Sequence, residues 1–204
     1  MGEAGSSQQA GAGQDCGPVI LVTPPRFADS RGWFSESFNE RVHAERGIAV
    51  RFVQDNHSYS QHQFTLRGLH FQTEPHAQDK LVRCVRGRVW DVAVDVRRGS
   101  PTFARWAAAE LTADGGEQIF IPTGFAHGFL TLEPDCEVIY KVSDFYDPAS
   151  EAGLKWDDPD LAIEWPLPAD AVPMLSAKDE VLPALSVSRI AFAYDGRPLS
   201  PLPV

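Results

Sequence analysis

Apolar and polar residues alternate along this chain in short runs, and proline and glycine break the runs at close intervals. Between the breaks the runs are rich in Val, Ile, Phe, Trp and Thr, which suit a pleated, half-buried surface. The pattern predicts strands over 18–23, 32–38, 51–56, 66–72, 80–85, 88–96, 104–111, 118–121, 128–132 and 137–142. Many short strands with turn signals between them point to an all-β sandwich or barrel. The clearest hairpin turns at Arg86-Gly87. In its second arm Trp90, Val92, Val94 and Val96 share one face by the period of two, and Val89, Asp91, Ala93 and Asp95 share the other. The first face is core. The mixed face predicts a solvated outer surface, with a ligand-lining face inside a barrel as the alternative.

Helical periodicity is weak. Residues 38–46 predict one or two turns stopped by Gly47, and 159–165 predict another short turn. Residues 1–16 hold no Lys or Arg and no apolar core, so they read as a loose tail and not as a signal peptide. From about Leu182 proline alternates with apolar residues, which suggests an extended tail or a clasp. The expected organisation is a tail over 1–16, one domain over 17–182 and an extension over 183–204.

Composition narrows the function. Eighteen basic against twenty-eight acidic residues give a net charge of −10, which argues against a broad nucleic-acid-binding face. An anionic ligand must then be met by a few locally placed Arg and Lys. No apolar run approaches the roughly 18 residues of a membrane span, so no membrane association is expected. The three cysteines, Cys16, Cys84 and Cys136, are odd in number and lack CxxC spacing, which fits reduced thiols in the cytoplasm.

Of six histidines, two sit in unusual company. His70 follows Arg67 within Leu66-Arg-Gly-Leu-His-Phe-Gln72, and His127 lies among glycines in Ile121-Pro-Thr-Gly-Phe-Ala-His-Gly-Phe129. Both are compatible with plain hydrogen-bonded core histidines. A metal site would need His70, His76 and His127 to converge, and the His-x-His pair typical of metal-binding barrels is broken by Phe71. A neutral His is alternatively a fitting base for a carbon acid beside a carbonyl. It needs an orienting carboxylate, an acid on the other face of the substrate and a cation for the enolate oxygen. Asp179, Tyr140 and Lys80 are candidates for these roles, although each also reads as an ordinary surface charge or barrel aromatic. No Gly-x-Ser-x-Gly elbow, phosphate loop or dinucleotide fingerprint is present, so nucleophilic hydrolysis and nicotinamide or flavin cofactors are not indicated.

Over roughly 18–182, an ordered series of stretches resembles the dTDP-4-dehydrorhamnose 3,5-epimerase family. The series is Asp29-Ser-Arg-Gly-Trp-Phe-Ser-Glu-Ser-Phe38, Phe52-Val-Gln-Asp-Asn-His-Ser58, the His70 and His127 motifs, Lys80-Leu-Val-Arg-Cys84, Tyr140-Lys141, Tyr146-Asp-Pro148, Trp156-Asp-Asp-Pro159, Ile163-Glu-Trp-Pro166 and Leu175-Ser-Ala-Lys-Asp179. The resemblance implies a cupin-like jelly-roll barrel that acts as a homodimer with neither metal nor organic cofactor. The implied substrate is a dTDP-linked 4-keto-6-deoxyhexose, inverted at C3 and C5. By motif, His70 is the base, Asp179 its partner, Tyr140 the acid and Lys80 the cation for the enolate oxygen. Arg31, Phe34, Glu36, Gln54, Asn56, Arg67, His127 and Lys178 match positions that hold the nucleotide diphosphate or line the pocket, with Trp33 and Phe34 helping to hold the base. Relatives that invert a single centre, and a catalytically silent sugar-nucleotide-binding barrel, remain as alternatives.

Overall fold

Among the described residues, twelve short strands, one α-helix and two short 3-10 turns build the domain. The computed structural model describes residues 17–200 and residue 202, so the expected tail over 1–16 lies outside the described residues. In chain order the elements are β1 (Ile20–Val22), β2 (Phe27–Asp29), β3 (Gly32–Phe34), α1 (Glu40–Glu45), β4 (Gln54–Ser60), β5 (Leu66–Gln72), β6 (Lys80–Arg86), β7 (Arg88–Asp95), β8 (Trp106–Thr112), β9 (Gln118–Ile121), β10 (Phe125–Thr131), β11 (Cys136–Val142) and β12 (Glu151–Gly153). Two antiparallel five-stranded sheets carry the fold, in the orders β1-β9-β6-β11-β4 and β12-β5-β10-β7-β8, and β2 pairs with β3 as a separate hairpin. This is the expected all-β, cupin-like jelly roll, with Asn39 capping α1 through its side chain.

Alternation within the strands sorts side chains between two buried layers. Val82, Val89, Ala93, Leu111, Ile119 and Val138 pack between the sheets. On the far side of the second sheet, Leu69, Phe71, Val92, Val94 and Val96 pack against Leu154, Leu161, Ile190 and Phe192 from the later part of the chain. The mixed face of β7 is therefore not the solvated surface that its two aspartates suggest. Val89, Asp91, Ala93 and Asp95 are all completely buried, because β7 lies between β10 and β8 with one face in the barrel and the other under the C-terminal segment. The hairpin pattern misleads here because a charged residue every fourth position looks like water-facing surface, whereas each of these carboxylates has its own buried partner.

Strand boundaries shift modestly from the sequence expectation. The first residues of 51–56 run as irregular chain before β4 starts at Gln54, and β3 stops at Phe34. β10 begins at Phe125, three residues earlier than expected, and runs straight through Gly128. The hairpin strand β2 and the Glu-Ala-Gly strand β12 were not anticipated. β12 has little strand propensity of its own and exists through its pairing with β5, Glu151 opposite Gln72 and Gly153 opposite His70.

One buried arginine helps to tie down the segment after Leu182. Arg97 is 2% exposed and donates to both oxygens of Asp95 (2.9 and 2.8 Å), to Asp195 (2.7 Å) and to the Arg197 carbonyl (3.0 Å), with its guanidinium over the rings of Phe125 and Tyr194. Burial works to raise the Asp95 carboxyl, but the bonds from Arg97, Ser100 and Thr102 outweigh it and hold that carboxyl below the usual range. Removing one partner from a buried ion pair strands the other without water. Arg97→Met is expected to cost about 3–5 kcal/mol in urea unfolding, while Asp195→Asn, which loses a half-exposed partner, should cost less than about 1 kcal/mol. Equal costs would show that Asp95 tolerates burial without Arg97.

Candidate active site

A bulge aims the first site residues. Along β10, His127 and Phe129 are two apart, yet they stand opposite His70 and Arg67 of β5, which are three apart. The extra residue puts Arg67 and His70 on the same side, where an odd spacing in a regular strand would separate them. The crossing is tight: a Cβ on Gly68 would lie 2.6 Å from both the Gly128 Cα and the His127 carbonyl oxygen, and the φ of +116° also requires glycine. Gly128 is under the same constraint, since a Cβ there would come 2.8 Å from the Arg67 carbonyl.

Arg67 and His70 open onto a cavity of about 490 Å³ lined from both sheets. His70 Nε2 bonds the Asp179 carboxylate at 2.5 Å. Asp179 is 3% exposed, sits in the turn Asp179–Val181 and donates its backbone N–H to Ser176 Oγ at 3.1 Å. Burial works to raise the Asp179 carboxyl, but the bonds to His70, Ser176 and the Gly68 backbone dominate and hold it below the ordinary range, so it is ionised. A carboxylate at Nε2 keeps the proton there and leaves Nδ1 with its lone pair.

The opposite sheet supplies the residues that the resemblance implies as acid and cation. Tyr140 on β11 and Lys80 on β6 belong to the first sheet, so they face His70 of the second across the cavity. Burial, with Glu151 adding to it and Arg67 opposing, raises the Tyr140 phenol above its usual value and keeps it protonated. Lys80 is 8% exposed and donates to the His70 carbonyl at 3.1 Å. Burial pushes its ammonium down to about 8, against the opposing charges of Asp91 and Glu151. His127 bonds both oxygens of the buried Asp91, at 3.1 and 2.9 Å, while burial lowers its pKa.

Gln54, Asn56 and Lys178 complete the expected residues that line the cavity. Gln54 donates to the Asn56 side chain at 2.9 Å, Arg67 is held by Ser60 Oγ and the Tyr59 carbonyl, and Lys178 pairs with Glu151. Arg31, Phe34 and Glu36 lie elsewhere. Arg31 and Phe34 ride on the β2–β3 hairpin and Glu36 just after it, all exposed and none lining this cavity, with Arg31 bonded to Asp29. Tyr146, Glu151, Gln72 and Ser176 line the cavity although sequence reasoning gave them no role. Tyr146 stood within a quoted stretch. Glu151 carries no motif at all, and only the β12–β5 register brings it to the site. The three histidines weighed as a metal cluster are each committed to a different carboxylate, His70 to Asp179, His127 to Asp91 and His76 to Asp144. Among the described residues no group of three or more His, Cys, Asp or Glu side chains is arranged to hold a metal ion.

A histidine bonded to an ionised carboxylate, a protonated tyrosine and a buried lysine, gathered inside a jelly roll, are the groups that acid–base isomerisation in a cupin-like barrel would need. The family model for dTDP-4-dehydrorhamnose 3,5-epimerase matches residues 15–186. A dTDP-4-dehydrorhamnose 3,5-epimerase from Sinorhizobium fredii is 49% identical over 176 residues, covering 86% of this chain and 89% of that protein. The crystal structure of a dTDP-6-deoxy-D-glucose-3,5-epimerase from Legionella pneumophila in complex with dTDP-4-keto-L-rhamnose superposes with a TM-score of 0.82 at 42% identity, covering 88% of this chain and 95% of that one. A 3'-monoepimerase from Streptomyces bikiniensis in complex with dTDP-quinovose gives a TM-score of 0.76 at 36% identity, covering 83% and 84%. The chain belongs to the dTDP-4-dehydrorhamnose 3,5-epimerase family.

The buried lysine gives this site a measurable signature. Lys80 is expected to titrate with a midpoint of about 8 in a ¹⁵N-lysine NMR titration, and the midpoint should fall further in Asp91→Asn, which removes the foremost charge favouring the ammonium. A midpoint near the ordinary lysine value in the unmodified protein would place Nζ in water and contradict its burial.

Proposed function

We propose that this protein inverts C3 and C5 of dTDP-4-dehydro-6-deoxy-D-glucose to give dTDP-4-dehydro-L-rhamnose. The observation that carries the reading is the His70–Asp179 pair on one sheet facing Tyr140 and Lys80 on the other. The ketone at C4 acidifies the hydrogens on both neighbouring carbons. His70 Nδ1 takes one of these protons, and the C–H electron pair becomes the enolate double bond as charge moves onto the C4 oxygen. The Lys80 ammonium stabilises that oxygen where negative charge develops. Tyr140 then delivers a proton to the carbon from the opposite face, inverting it, and solvent returns both groups to their starting states. Lys80 serves best while charged, at pH values below about 8, where Tyr140 also remains protonated.

Arg67, Lys178 and His127 would hold the diphosphate and the sugar, which is how a chain of net charge −10 accepts an anionic ligand. No metal or organic cofactor enters these steps. The protein would act as a homodimer. Arg31, Phe34 and Glu36 lie outside their own cavity, on or beside a two-stranded hairpin that also exposes Phe27 and Trp33. An isolated two-stranded hairpin is barely stable by itself, and clustered exposed aromatics mark a surface that meets a partner. We place these three residues at the cavity of the second subunit. Cys84 and Cys136 are free and buried, in keeping with a reducing cytoplasm, and among the described residues no helix is long and apolar enough to cross a membrane.

Deuterium exchange tests the chemistry. Followed by NMR in deuterated water, the substrate should take up deuterium at both C3 and C5 and yield L-rhamnose product when a reductase is coupled. Exchange at one carbon only would assign the protein to the single-centre epimerases, and binding without exchange would make it a silent barrel. His70→Ala should lose at least about 1,000-fold in turnover while still binding dTDP; near-normal turnover would remove His70 from the mechanism. Tyr140→Phe should retain more exchange than net inversion, since abstraction and delivery belong to different groups.

Mixing subunits tests the dimer. His70→Ala chains and Arg31→Ala/Phe34→Ala chains are each expected to be nearly inactive alone. Co-refolded in equal amounts, they should recover about a quarter of wild-type activity, because half of the dimers are mixed and each has one intact site. No recovery would leave the hairpin residues to their own subunit.

A further inference from the structure

Three successive backbone groups around Tyr146 are held by the side chains of two glutamines. Gln72 Nε2 donates to the Phe145 carbonyl at 3.1 Å, Gln54 Oε1 accepts from the Tyr146 N–H at 3.2 Å, and Gln72 Oε1 accepts from the Asp147 N–H at 2.9 Å. The second N–H of Gln72 goes to the His76 carbonyl at 2.6 Å. Gln72 is 4% exposed, and both of its donors and its acceptor oxygen are committed to loop backbone. It lines the cavity two residues from His70 and yet has no donor left to offer a ligand.

The loop it holds carries a chain of polar contacts along the cavity wall. Tyr146 is half-exposed, and its hydroxyl donates to one Glu151 oxygen at 2.8 Å. The other Glu151 oxygen accepts from Lys178. The Glu151 carboxyl is worked upward by burial but held below its ordinary range by the bonds from Lys178 and Tyr146, so the chain reads phenol, carboxylate, ammonium. None of these three groups touches the His70–Asp179 pair through a hydrogen bond, so the wall is built separately from the base.

We propose that Gln72 is a positioning residue for the nucleotide end of the substrate: by clamping the loop at Phe145 and Asp147 it fixes Tyr146, and through Tyr146 the Glu151–Lys178 pair. The assignment rests on the functional reading above, in which Lys178 meets the diphosphate. Gln72 then governs how tightly the nucleotide is held and leaves the proton transfers to His70, Lys80 and Tyr140.

The test uses the full chain, with dTDP as the probe in titration calorimetry and dTDP-4-dehydro-6-deoxy-D-glucose for turnover. Gln72→Met keeps the length of the side chain and removes its three hydrogen bonds. It should raise the Kd for dTDP by about tenfold or more, raise KM in parallel, and change kcat by less than about threefold. In a Tyr146→Ala background the same substitution should weaken dTDP binding by less than about twofold further, because its effect runs through Tyr146. Additive losses in the double variant, or a fall in kcat at unchanged dTDP affinity, would overturn the assignment and leave Gln72 a general packing residue. If circular dichroism shows that Gln72→Met does not fold, Gln72→Glu is taken through the same cycle. It keeps an acceptor for the Asp147 N–H while losing both donors. Unsubstituted protein that neither binds dTDP nor exchanges the substrate would instead refute the functional reading, before any variant is made.

Discussion

The site depends on a contact between two backbones that has no room for a side chain. At the crossing of β5 and β10, any Cβ on Gly68 would sit 2.6 Å from Gly128 and from the His127 carbonyl. Only with both positions empty can β5 carry its extra residue without leaving the sheet. That residue turns Arg67 and His70 to the same side and sets His70 directly opposite His127. His70, the Arg67 guanidinium and the buried His127–Asp91 pair thus reach one cavity from neighbouring strands because of two absent methyl groups.

Burial then sorts the charges. Asp91, Asp95, Asp158 and Asp179 are all nearly or fully inaccessible in a chain that is strongly acidic overall. Each buried carboxylate is satisfied by a particular group: His127, Arg97 with Ser100 and Thr102, the backbone N–H groups of Asp160 and Leu185, and His70. A carboxylate that has lost its water is costly unless so paired. The pairings differ in consequence. Asp95 fastens the C-terminal segment, Asp158 accepts from the backbone at Asp160 and Leu185, and Asp179 and Asp91 hold the rings of two cavity histidines. Net charge therefore says little about the cavity, where Lys80, Arg67 and Lys178 are gathered.

What could be read in the sequence follows the range of the interactions involved. The two strands Leu66–Gln72 and Gln118–Ile121 were legible to the residue, because propensity and nearby breakers decide them. β12 was not, since a Glu-Ala-Gly run becomes a strand only when β5 is beside it. The face of Asp91 and Asp95 was misread for a related reason: period two says which residues share a side, and only the sheet order says what covers it. His70, Asp179, Tyr140 and Lys80 could be named from the family resemblance, but spacing alone gave no ground for their meeting. Glu151, Tyr146 and Gln72 act through partners set by tertiary contacts, and the exposed placement of Arg31, Phe34 and Glu36 is equally invisible in a linear pattern.

His70 and its partner Asp179 are 109 residues apart in sequence, which ties the candidate site to the later part of the chain. Asp179 reaches His70 only because the preceding segment adds to the edge of β5, with Met174 exchanging backbone hydrogen bonds with Phe64 and Leu66 at 2.8 and 2.9 Å. Just beyond it, Lys155 N–H bonds the Pro183 carbonyl, and Leu182 lies against the Gly153 strand, where a Cβ would come within 2.8 Å of its methyl. Gly153 in turn pairs with His70 itself. The C-terminal part of the chain is thus both the cover over the outer face of the second sheet and the holder of the carboxylate that bonds His70. Asp179 sits at the seam of that cover, while the core residues between the sheets are sealed by the sheets themselves.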